Sequence, residues 1–133
     1  MKKFCLILAL LLVHTPVFGA NNLSLEAENL VQLICNISQY ARVTGTISNI
    51  DISEKYKVIS LNFGKNFNTS LSAVIYNDVI PSFILAGIDD PAEYFKNKTV
   101  LLEGIIRVSN GKPEIIIDSP SQIKIIDKNE HSK

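Results

Sequence analysis

The residues best suited to chemistry in this sequence are few and scattered. The densest acidic group, Asp89, Asp90 and Glu93, could hold a divalent cation, but it surrounds a proline where a helix is predicted to begin. Acidic side chains favour helix N-termini through the helix dipole, so helix capping is the preferred interpretation. No serine lies in a Gly-x-Ser-x-Gly setting, and His131 is the only histidine besides His14. We therefore expect no catalytic site, no metal and no other cofactor.

The N-terminus has the order of a secretory signal peptide. A positive start precedes an almost unbroken apolar run, Phe4–Val13, and small residues then end the run at plausible cleavage positions. Cleavage after Gly19 puts Val17 and Gly19 at the two small-residue positions, so we predict a signal peptide over 1–19, with cleavage after Ala20 as the alternative. An uncleaved anchor is disfavoured because spanning a bilayer takes about 20 apolar residues. The protein is expected to be exported to the periplasm or beyond, without stable membrane insertion after processing.

Removal of this leader changes the charge and the thiol content. The whole chain has 13 basic and 13 acidic residues, and loss of Lys2 and Lys3 leaves 11 against 13, a formal charge of −2. Proteins that grip a phosphate backbone usually carry a basic face, because counterion release supplies much of the affinity. Cys35 becomes the only thiol, so no internal disulfide can form. We interpret Cys35 as a small buried residue on a helix rather than a reactive thiol.

Hydrophobic periodicity predicts one small β-rich domain over residues 20–127, followed by a flexible tail over 128–133. Apolar residues at three- and four-residue spacing predict a helix over Ser24–Cys35. Alternating residues predict five strands, with Gly45 and Gly104 at a bulge or bend. The predicted strands are Tyr40–Ser48, Tyr56–Phe63, Ser70–Asn77, Thr99–Val108 and Pro113–Asp118, the last extended by Gln122–Ile126. A helical connection over Asp78–Ala86 and Pro91–Phe95 separates the third strand from the fourth, and Asn110-Gly111 predicts a hairpin.

Five short strands with a helix between the third and the fourth predict a small closed Greek-key barrel. The order and the residues resemble OB-type (oligonucleotide/oligosaccharide-binding) domains, in particular small exported bacterial ones. The resembling segments are Glu26-Ala27, Tyr40–Ile47, Leu61–Gly64, Lys98–Val100, Glu103-Gly104, Asn110–Ile115 and Pro120–Ile123. The resemblance implies a mainly β, five-stranded Greek-key OB-type barrel with an N-terminal helix and a helical connection between strands three and four.

The segment Leu61–Gly64 is also similar to one in OB domains that accompany staphylococcal-nuclease-like proteins, which makes a nuclease an alternative. Such an enzyme needs clustered carboxylates to hold a divalent ion and arginines to stabilise charge on the phosphate. Arg42 and Arg107 are the only arginines, and both fall in predicted strands beside glycines. We therefore predict a binding module that is not an enzyme, and a metal-dependent nuclease is the least favoured alternative.

The resemblance also implies where a ligand would bind. An OB barrel normally uses the face of its second and third strands, between the loops that join strands one to two and four to five. The implied ligand-binding residues are Tyr56, Lys57, Lys65, Asn66, Phe67, Tyr76, Arg107 and Lys112. Aromatic rings there could stack on bases and basic groups could meet phosphates, so the implied ligand is single-stranded nucleic acid or an oligonucleotide-like anion. In the alternative interpretation, the tyrosines only cover the barrel and the lysines are solvated surface charges.

A competing hypothesis is a periplasmic interaction or stress-associated protein that contacts a protein, a peptide or an envelope glycan. The distribution of charge separates the two hypotheses. A nucleic-acid binder should gather Lys57, Lys65, Arg107 and Lys112 on one face beside exposed aromatic residues, whereas scattered basic residues favour the competing hypothesis.

Two further residues near the implied site are expected to be structural. Phe63 is predicted to lie in the core. Asn62, a polar residue between Leu61 and Phe63, is predicted to fix the turn at Gly64 by bonding to the backbone.

Overall fold

The computed structural model describes residues 24–126. The predicted signal peptide, its cleavage site and the predicted tail lie outside the described residues. Over residues 24–126 the chain is mainly β, as predicted, with eight strands, three short α-helices and two 3₁₀ turns. No helix in this part of the chain is long and apolar enough to cross a membrane.

Strands form in all five predicted segments, with shifted ends, but the fourth is divided in two at Ile106 and the predicted extension of the fifth is a separate strand. The strands are β1 (Leu25–Glu26), β2 (Tyr40–Ser53), β3 (Val58–Phe63), β4 (Ser72–Tyr76), β5 (Thr99–Ile105), β6 (Arg107–Ser109), β7 (Lys112–Ile116) and β8 (Ile123–Ile125). The helices are α1 (Leu30–Cys35), α2 (Ile80–Leu85) and α3 (Pro91–Phe95). The 3₁₀ turns cover Asn77–Val79 and Pro120–Gln122.

The strands form one mixed sheet in the order β6-β7-β4-β3-β2-β5-β8, and β1 lies parallel to β2. The meander β2-β3-β4 is antiparallel, while β7 pairs in parallel with β4. Strands β5 and β6 follow each other around Ile106, yet β5 pairs with β2 and β6 pairs with β7. This pairing pattern is consistent with an OB-like fold, in which the outer surface of the central strands is left free.

The apolar core lies between the sheet and the helical connection. Phe63 is fully buried, which confirms its predicted core position. Helices α2 and α3 contribute Phe83 and Phe95, whose rings meet edge to face with centroids 6.2 Å apart. Aromatic pairs prefer this geometry because the positive ring edge meets the negative ring face. The helical connection thus packs its aromatic side chains against the inner face of the sheet.

Gly45 marks a close approach of segments in this core. A side chain there would place its Cβ 2.7 Å from both Ala27 Cβ and Phe63 Cδ1, which is closer than real Cβ atoms come. The register irregularity of β2 lies between Ile47 and Asn49 and not at Gly45, which pairs regularly with Val100. The irregularity therefore follows Gly45 in the chain. A glycine is needed at position 45 because the Phe63 ring occupies the space that a side chain would fill.

The N-terminal helix is shorter than predicted, and the predicted burial of Cys35 is wrong. Helix α1 begins only at Leu30, where the Asn29 side chain accepts the backbone N–H of Gln32 at 3.2 Å. Residues 25–26 instead pair with β2 as strand β1. Helix α1 buries Leu33, so Val31, 72% exposed, and Cys35 point outward. Apolar residues do recur at three- and four-residue spacing in α1, but tertiary packing decides which of them are buried.

The first long strand also runs further than predicted. Strand β2 continues through the polar stretch to Ser53, because residues 49–53 pair in register with β3. Tyr56 therefore lies in the turn between β2 and β3 rather than in a strand. The hairpin predicted at Asn110-Gly111 is confirmed, with φ of 51° and 75° at these two residues between β6 and β7.

Candidate functional site

Side chains at alternate positions of β3, β4 and β7 form one outer face. Strand pairing sets them in registered rows across the sheet, because opposite residues of neighbouring strands point to the same side. The rows are Asn62, Ser72 and Glu114; Ser60, Val74 and Ile116; and Val58 with Tyr76. The face is therefore polar at one end, mixed in the middle and aromatic at the other end.

A groove of about 650 Å³ crosses the polar end of this face, and we call it the central groove. Its lining is Asp51, Ser60, Asn62, Phe67, Asn68, Ser72, Val74, Ser109, Asn110, Gly111, Lys112 and Glu114. Most of these residues offer hydroxyl, amide or carboxylate groups, and Phe67 supplies an aromatic ring that is 39% exposed. The groove can therefore form hydrogen bonds to a polar ligand over much of its length.

Asn62 is the centre of a hydrogen-bond network on the floor of the central groove. Its Oδ1 accepts from Ser72 Oγ at 2.6 Å and from Lys112 Nζ at 3.1 Å. Asn62 and Ser72 are buried. Buried polar groups are costly unless they are paired, so this network lets the sheet carry polar side chains beneath the groove.

The predicted role of Asn62 at the Gly64 turn is wrong. The Asn62 side chain bonds to Ser72 and Lys112, and the turn is held by other groups. Ser70 Oγ donates to Phe63 O at 2.7 Å, and Ser48 Oγ donates to Gly64 O. The prediction failed because alternation along the strand sends Asn62 to the outer face, toward strands that are distant in sequence.

Lys112 has a perturbed environment within this network. Partial burial lowers the pKa of its ammonium group from the ordinary value of 10.5, since desolvation disfavours the charged form. The carboxylates of Asp51 and Glu114 act in the opposite direction and raise this pKa. Lys112 is thus a cation that already has acidic neighbours and an amide acceptor.

A second concavity of about 540 Å³ lies at the aromatic end of the face, and we call it the tyrosine depression. Its lining is Tyr56, Lys57, Tyr76, Asn77, Asp78, Ile116 and Asp118. Tyr56 is 67% exposed and Tyr76 is 43% exposed, and Lys55 Nζ lies 5.2 Å from the centroid of the Tyr56 ring. Two tyrosines thus border one concavity with much of their surface exposed.

A third concavity of about 660 Å³, the arginine depression, adjoins the tyrosine depression. Its lining is Ser38, Tyr40, Gly104, Ile105, Arg107, Ile116, Asp118 and Gln122. Ile116 and Asp118 belong to both concavities. The Tyr40 hydroxyl donates to Glu103 at 3.3 Å, and local desolvation and the Glu103 carboxylate raise the pKa of Tyr40.

The eight residues implied by the family resemblance are divided among these surfaces. Phe67 and Lys112 line the central groove, Tyr56, Lys57 and Tyr76 line the tyrosine depression, and Arg107 lines the arginine depression. Lys65 and Asn66 line none of the three, although both are exposed.

Asn66 has a structural role in the loop between β3 and β4. Its Oδ1 accepts the backbone N–H of Asn68 at 3.2 Å, and its carbonyl accepts Ser70 Oγ at 3.0 Å. An asparagine that bonds to the backbone two residues further on is typical of a turn. The polar groups of Asn66 therefore organise the loop that carries Phe67.

The basic residues of the three concavities do not form a separate basic face, because acidic residues lie among them. The basic residues are Lys57, Arg107 and Lys112, and the acidic residues are Asp51, Asp78, Glu114 and Asp118. Each concavity combines one basic side chain with at least one carboxylate. This distribution differs from the continuous basic track that is usual in proteins that bind mainly to a phosphate backbone.

Sequence reasoning missed Tyr40, Ile116 and Asp118, which border the adjoining concavities. The sequence pattern predicts that all three residues belong to strands and indicates no binding role for them. The alternation of Lys112, Glu114 and Ile116 could have placed Ile116 on the same face as Lys112. Nothing in the local sequence indicates that β5 and β7 come close enough to share a concavity.

The acidic group Asp89, Asp90 and Glu93 is accounted for by the predicted cap. Asp90 Oδ1 accepts the backbone N–H of Glu93 at 3.3 Å at the start of α3. Within residues 24–126, no group of three or more His, Cys, Asp and Glu side chains is placed to hold a metal ion.

No family model and no curated protein matches the chain. Among solved structures, the chain is similar to OBody AM3L15 bound to hen egg-white lysozyme, with 15% identity, a TM-score of 0.49, and coverage of 74% of this chain and 92% of that one. It is also similar to asparaginyl-tRNA synthetase from Pyrococcus horikoshii, with 16% identity, a TM-score of 0.46, and coverage of 68% of this chain but 20% of the synthetase. The chain is similar as well to the S. pombe Stn1-ten1 complex, with 20% identity, a TM-score of 0.46, and coverage of 65% of this chain and 57% of that one.

Proposed function

We propose that this chain is an exported, non-catalytic binding module that holds single-stranded nucleic acid on the outer face of β3, β4 and β7. The observation that carries the proposal is the pair of exposed tyrosines, Tyr56 and Tyr76, at one end of this face, whose other end carries the central groove with its amide and hydroxyl groups. Aromatic rings stack on bases of any sequence, and amides and hydroxyls bond to base edges.

The mixed charge of the surface limits how such a ligand is held. The basic side chains Lys57, Arg107 and Lys112 all have carboxylates nearby in their concavities. Phosphate contacts therefore contribute little, and the bases provide most of the affinity. With three basic groups, the slope of log affinity against log salt should be no steeper than about −2.

Two finer features belong to this proposal. We propose that the sheet closes into a five-stranded barrel, with β5 and β6 acting as one strand that bends at Ile106. Its support is that Ile106 N–H donates to Gln39 O at 3.1 Å, and Ile106 O accepts from Ser38 N–H at 2.8 Å, where β6 turns toward β7.

Export to the periplasm or beyond is supported by the apolar leader Phe4–Val13. N-terminal sequencing of the exported protein tests it, and an intact Met1 would contradict cleavage.

A second candidate is a protein or peptide partner, such as an envelope protein. The specific observation in its favour is that each of the three concavities contains both a basic residue and a carboxylate, a pattern that suits a partner of mixed charge. Scattered basic residues were the sequence-based criterion for this hypothesis. An envelope glycan remains a variant of this candidate, because neutral polar groups in the central groove could also bind sugar hydroxyls.

Fluorescence anisotropy with labelled single-stranded DNA and RNA at several salt concentrations tests the first candidate. We expect saturable binding with a shallow salt slope, and an abasic oligonucleotide of equal length should bind far more weakly. A steep salt slope with equal binding of the abasic strand would contradict base-led recognition. Absence of binding even at low salt would reject nucleic acid and favour the protein or peptide candidate.

Substitution of Tyr56 tests the site. Tyr56→Ala should weaken oligonucleotide binding by about 5- to 100-fold, the effect of losing one stacked base, while Tyr56→Phe should keep most of the affinity. The urea unfolding midpoint should not change, because the Tyr56 ring is mostly exposed. Equal affinity of Tyr56→Ala and the unsubstituted protein would place the ligand elsewhere.

The non-catalytic nature of the protein is tested separately. Incubation of the purified protein with single- and double-stranded DNA, in Ca²⁺ or Mg²⁺, should leave the DNA intact. Cleavage that is abolished by a chelator would overturn the proposal in favour of a metal-dependent nuclease.

A further inference from the structure

The arginine depression continues the candidate site past the outer face of β3, β4 and β7. It shares Ile116 and Asp118 with the tyrosine depression, so the two concavities meet along one wall. Their volumes of about 540 and 660 Å³ are similar. A polymer that leaves Tyr76 and crosses Ile116 therefore enters a second concavity, bordered by the beginning of β2 and the end of β5.

Besides the pairing of β7 with β4, the Gln122 side chain helps to hold the shared wall in place. Gln122 Oε1 accepts the backbone N–H groups of Asp118 and Ser119, at 2.8 and 3.0 Å. Its Nε2 donates to Glu103 O at 3.0 Å and to Ile116 O at 3.2 Å. The amide thus ties the segment after β7 to β5, and a fixed wall lowers the ordering cost of binding.

Gly104, which lines the arginine depression, allows a close approach to buried neighbours. A Cβ at this position would lie 2.7 Å from Ile115 Cγ2 and 3.2 Å from Gln122 Nε2, so a larger residue would displace the wall itself. The absence of a side chain at Gly104 therefore lets Ile115 and the Gln122 amide pack closely against β5 next to the concavity.

The groups that face this concavity suit a nucleotide. Tyr40 is 67% exposed although it lies within strand β2, and its cross-strand partner Ile105 is exposed as well. The hydroxyl of Tyr40 is directed to Glu103, which leaves the ring available for stacking. Arg107, also exposed, supplies a guanidinium group that can bond to a phosphate or stack on a base.

We infer that the nucleic-acid strand continues over Ile116 into the arginine depression, where the Tyr40 ring stacks on a further base and Arg107 contacts the adjoining phosphate. This inference rests on the proposed function. It extends the site to the beginning of β2 and the end of β5, around the side of the sheet. The strand recognised is therefore longer than the outer face of β3, β4 and β7 alone can hold.

A length series separates this extension from the primary site. Labelled oligo(dT) of about 4 to 16 nucleotides, the range of site sizes for one OB fold, is titrated into the protein purified after expression of the full chain. Affinity should rise with length and then level off. Tyr40→Ala should bind the shortest oligonucleotides normally and the longest about tenfold more weakly, so that its affinity levels off at a shorter length.

Matched variants distinguish stacking from a structural effect. Tyr40→Phe removes the bond to Glu103 but keeps the ring, so it should bind like the unsubstituted protein at every length. Arg107→Gln should weaken only the long oligonucleotides and should make their salt slope shallower by about 0.7. Urea unfolding midpoints of all variants are compared, and an equal loss at every length together with a lowered midpoint would overturn the inference.

The remaining outcomes separate the two proposals. If short oligonucleotides bind and Tyr56→Ala weakens them, but Tyr40→Ala has no effect at any length, the extension is wrong and the proposed function stands. If no oligonucleotide binds at any length in low salt, the proposed function fails and the extension fails with it.

Discussion

The inner and outer faces of β3, β4 and β7 differ in burial and in polarity. The inner face of β3, β4 and β7 carries Leu61, Phe63, Ala73, Ile75 and Ile115, all fully buried. The outer face of the same strands carries Asn62, Ser72 and Lys112 in one hydrogen-bond network and Tyr76 at its far end. Residues one position apart in the chain therefore experience either close apolar packing or a partly hydrated polar surface.

This difference shows which part of the outer face is scaffold and which part is free. Asn62 Oδ1 already accepts from the Ser72 hydroxyl and from Lys112, so these groups stabilise the sheet without any ligand. Tyr56 and Tyr76 expose much of their surface at the other end. The free capacity for binding therefore lies mostly in the aromatic rings.

The largest effect is expected on the inner face. Phe63→Ala removes a fully buried ring that packs beside Gly45 and should lower the free energy of unfolding by about 3–5 kcal/mol. Phe67→Ala, a matched change four residues away at the edge of the central groove, should cost less than about 1 kcal/mol because the ring is partly exposed. Urea denaturation measures both, and similar losses would contradict the division between the faces.

A smaller effect is expected from the outer network. Asn62→Ala leaves the buried Ser72 hydroxyl and the Lys112 ammonium group without their shared acceptor, and should cost about 1–3 kcal/mol of unfolding free energy. Ser60→Ala, on the same face and strand, should change stability by less than about 0.5 kcal/mol. If the two substitutions were equivalent in urea denaturation, the network would not contribute to stability.

The smallest effect concerns the pH dependence of stability. Burial lowers the pKa of folded Lys112 below its ordinary value of 10.5. At pH values between the lowered pKa of folded Lys112 and 10.5, the unfolded chain binds more protons than the folded one. The free energy of unfolding should therefore rise with pH in this range. Lys112→Met should flatten this rise in unfolding experiments at alkaline pH, and an unchanged slope would assign the rise to other groups.

NMR titration of the Lys112 side chain tests directly how its acidic neighbours affect its pKa. Asp51 and Glu114 raise the pKa of Lys112, so Asp51→Asn should shift the titration to lower pH. A shift to higher pH, or none, would show that Asp51 does not interact with the ammonium group in solution.

Local sequence patterns predicted much of the fold because their causes are local. Alternation predicted the positions of the five main strands, and Asn110-Gly111 predicted its hairpin because both residues adopt positive φ. The cap at Asp90 followed from an acid before a proline. Prediction failed for Cys35, because the periodicity of α1 is compatible with several faces and only packing decides which one is buried.

The candidate site was less predictable than the fold. Tyr56, Lys57 and Tyr76 were named from the sequence and do share a concavity, since the turn after β2 lies beside the end of β4. Lys65 lies apart from the three concavities, and Asn66 holds a turn. Tyr40 was missed because its neighbours in the arginine depression, apart from Ser38, are more than 60 residues away in sequence.

The sequence by itself determined the alternation that gives each strand an apolar and a polar side, the tight turns, and the charge balance after the predicted leader. These properties depend on residue types and on spacing of a few residues. The tertiary structure alone decided that Asn62 meets Lys112, that Gly45 makes room for Phe63, and that two concavities share Ile116. Such contacts depend on strand register and on the parallel pairing of β4 with β7, which join segments far apart in the chain.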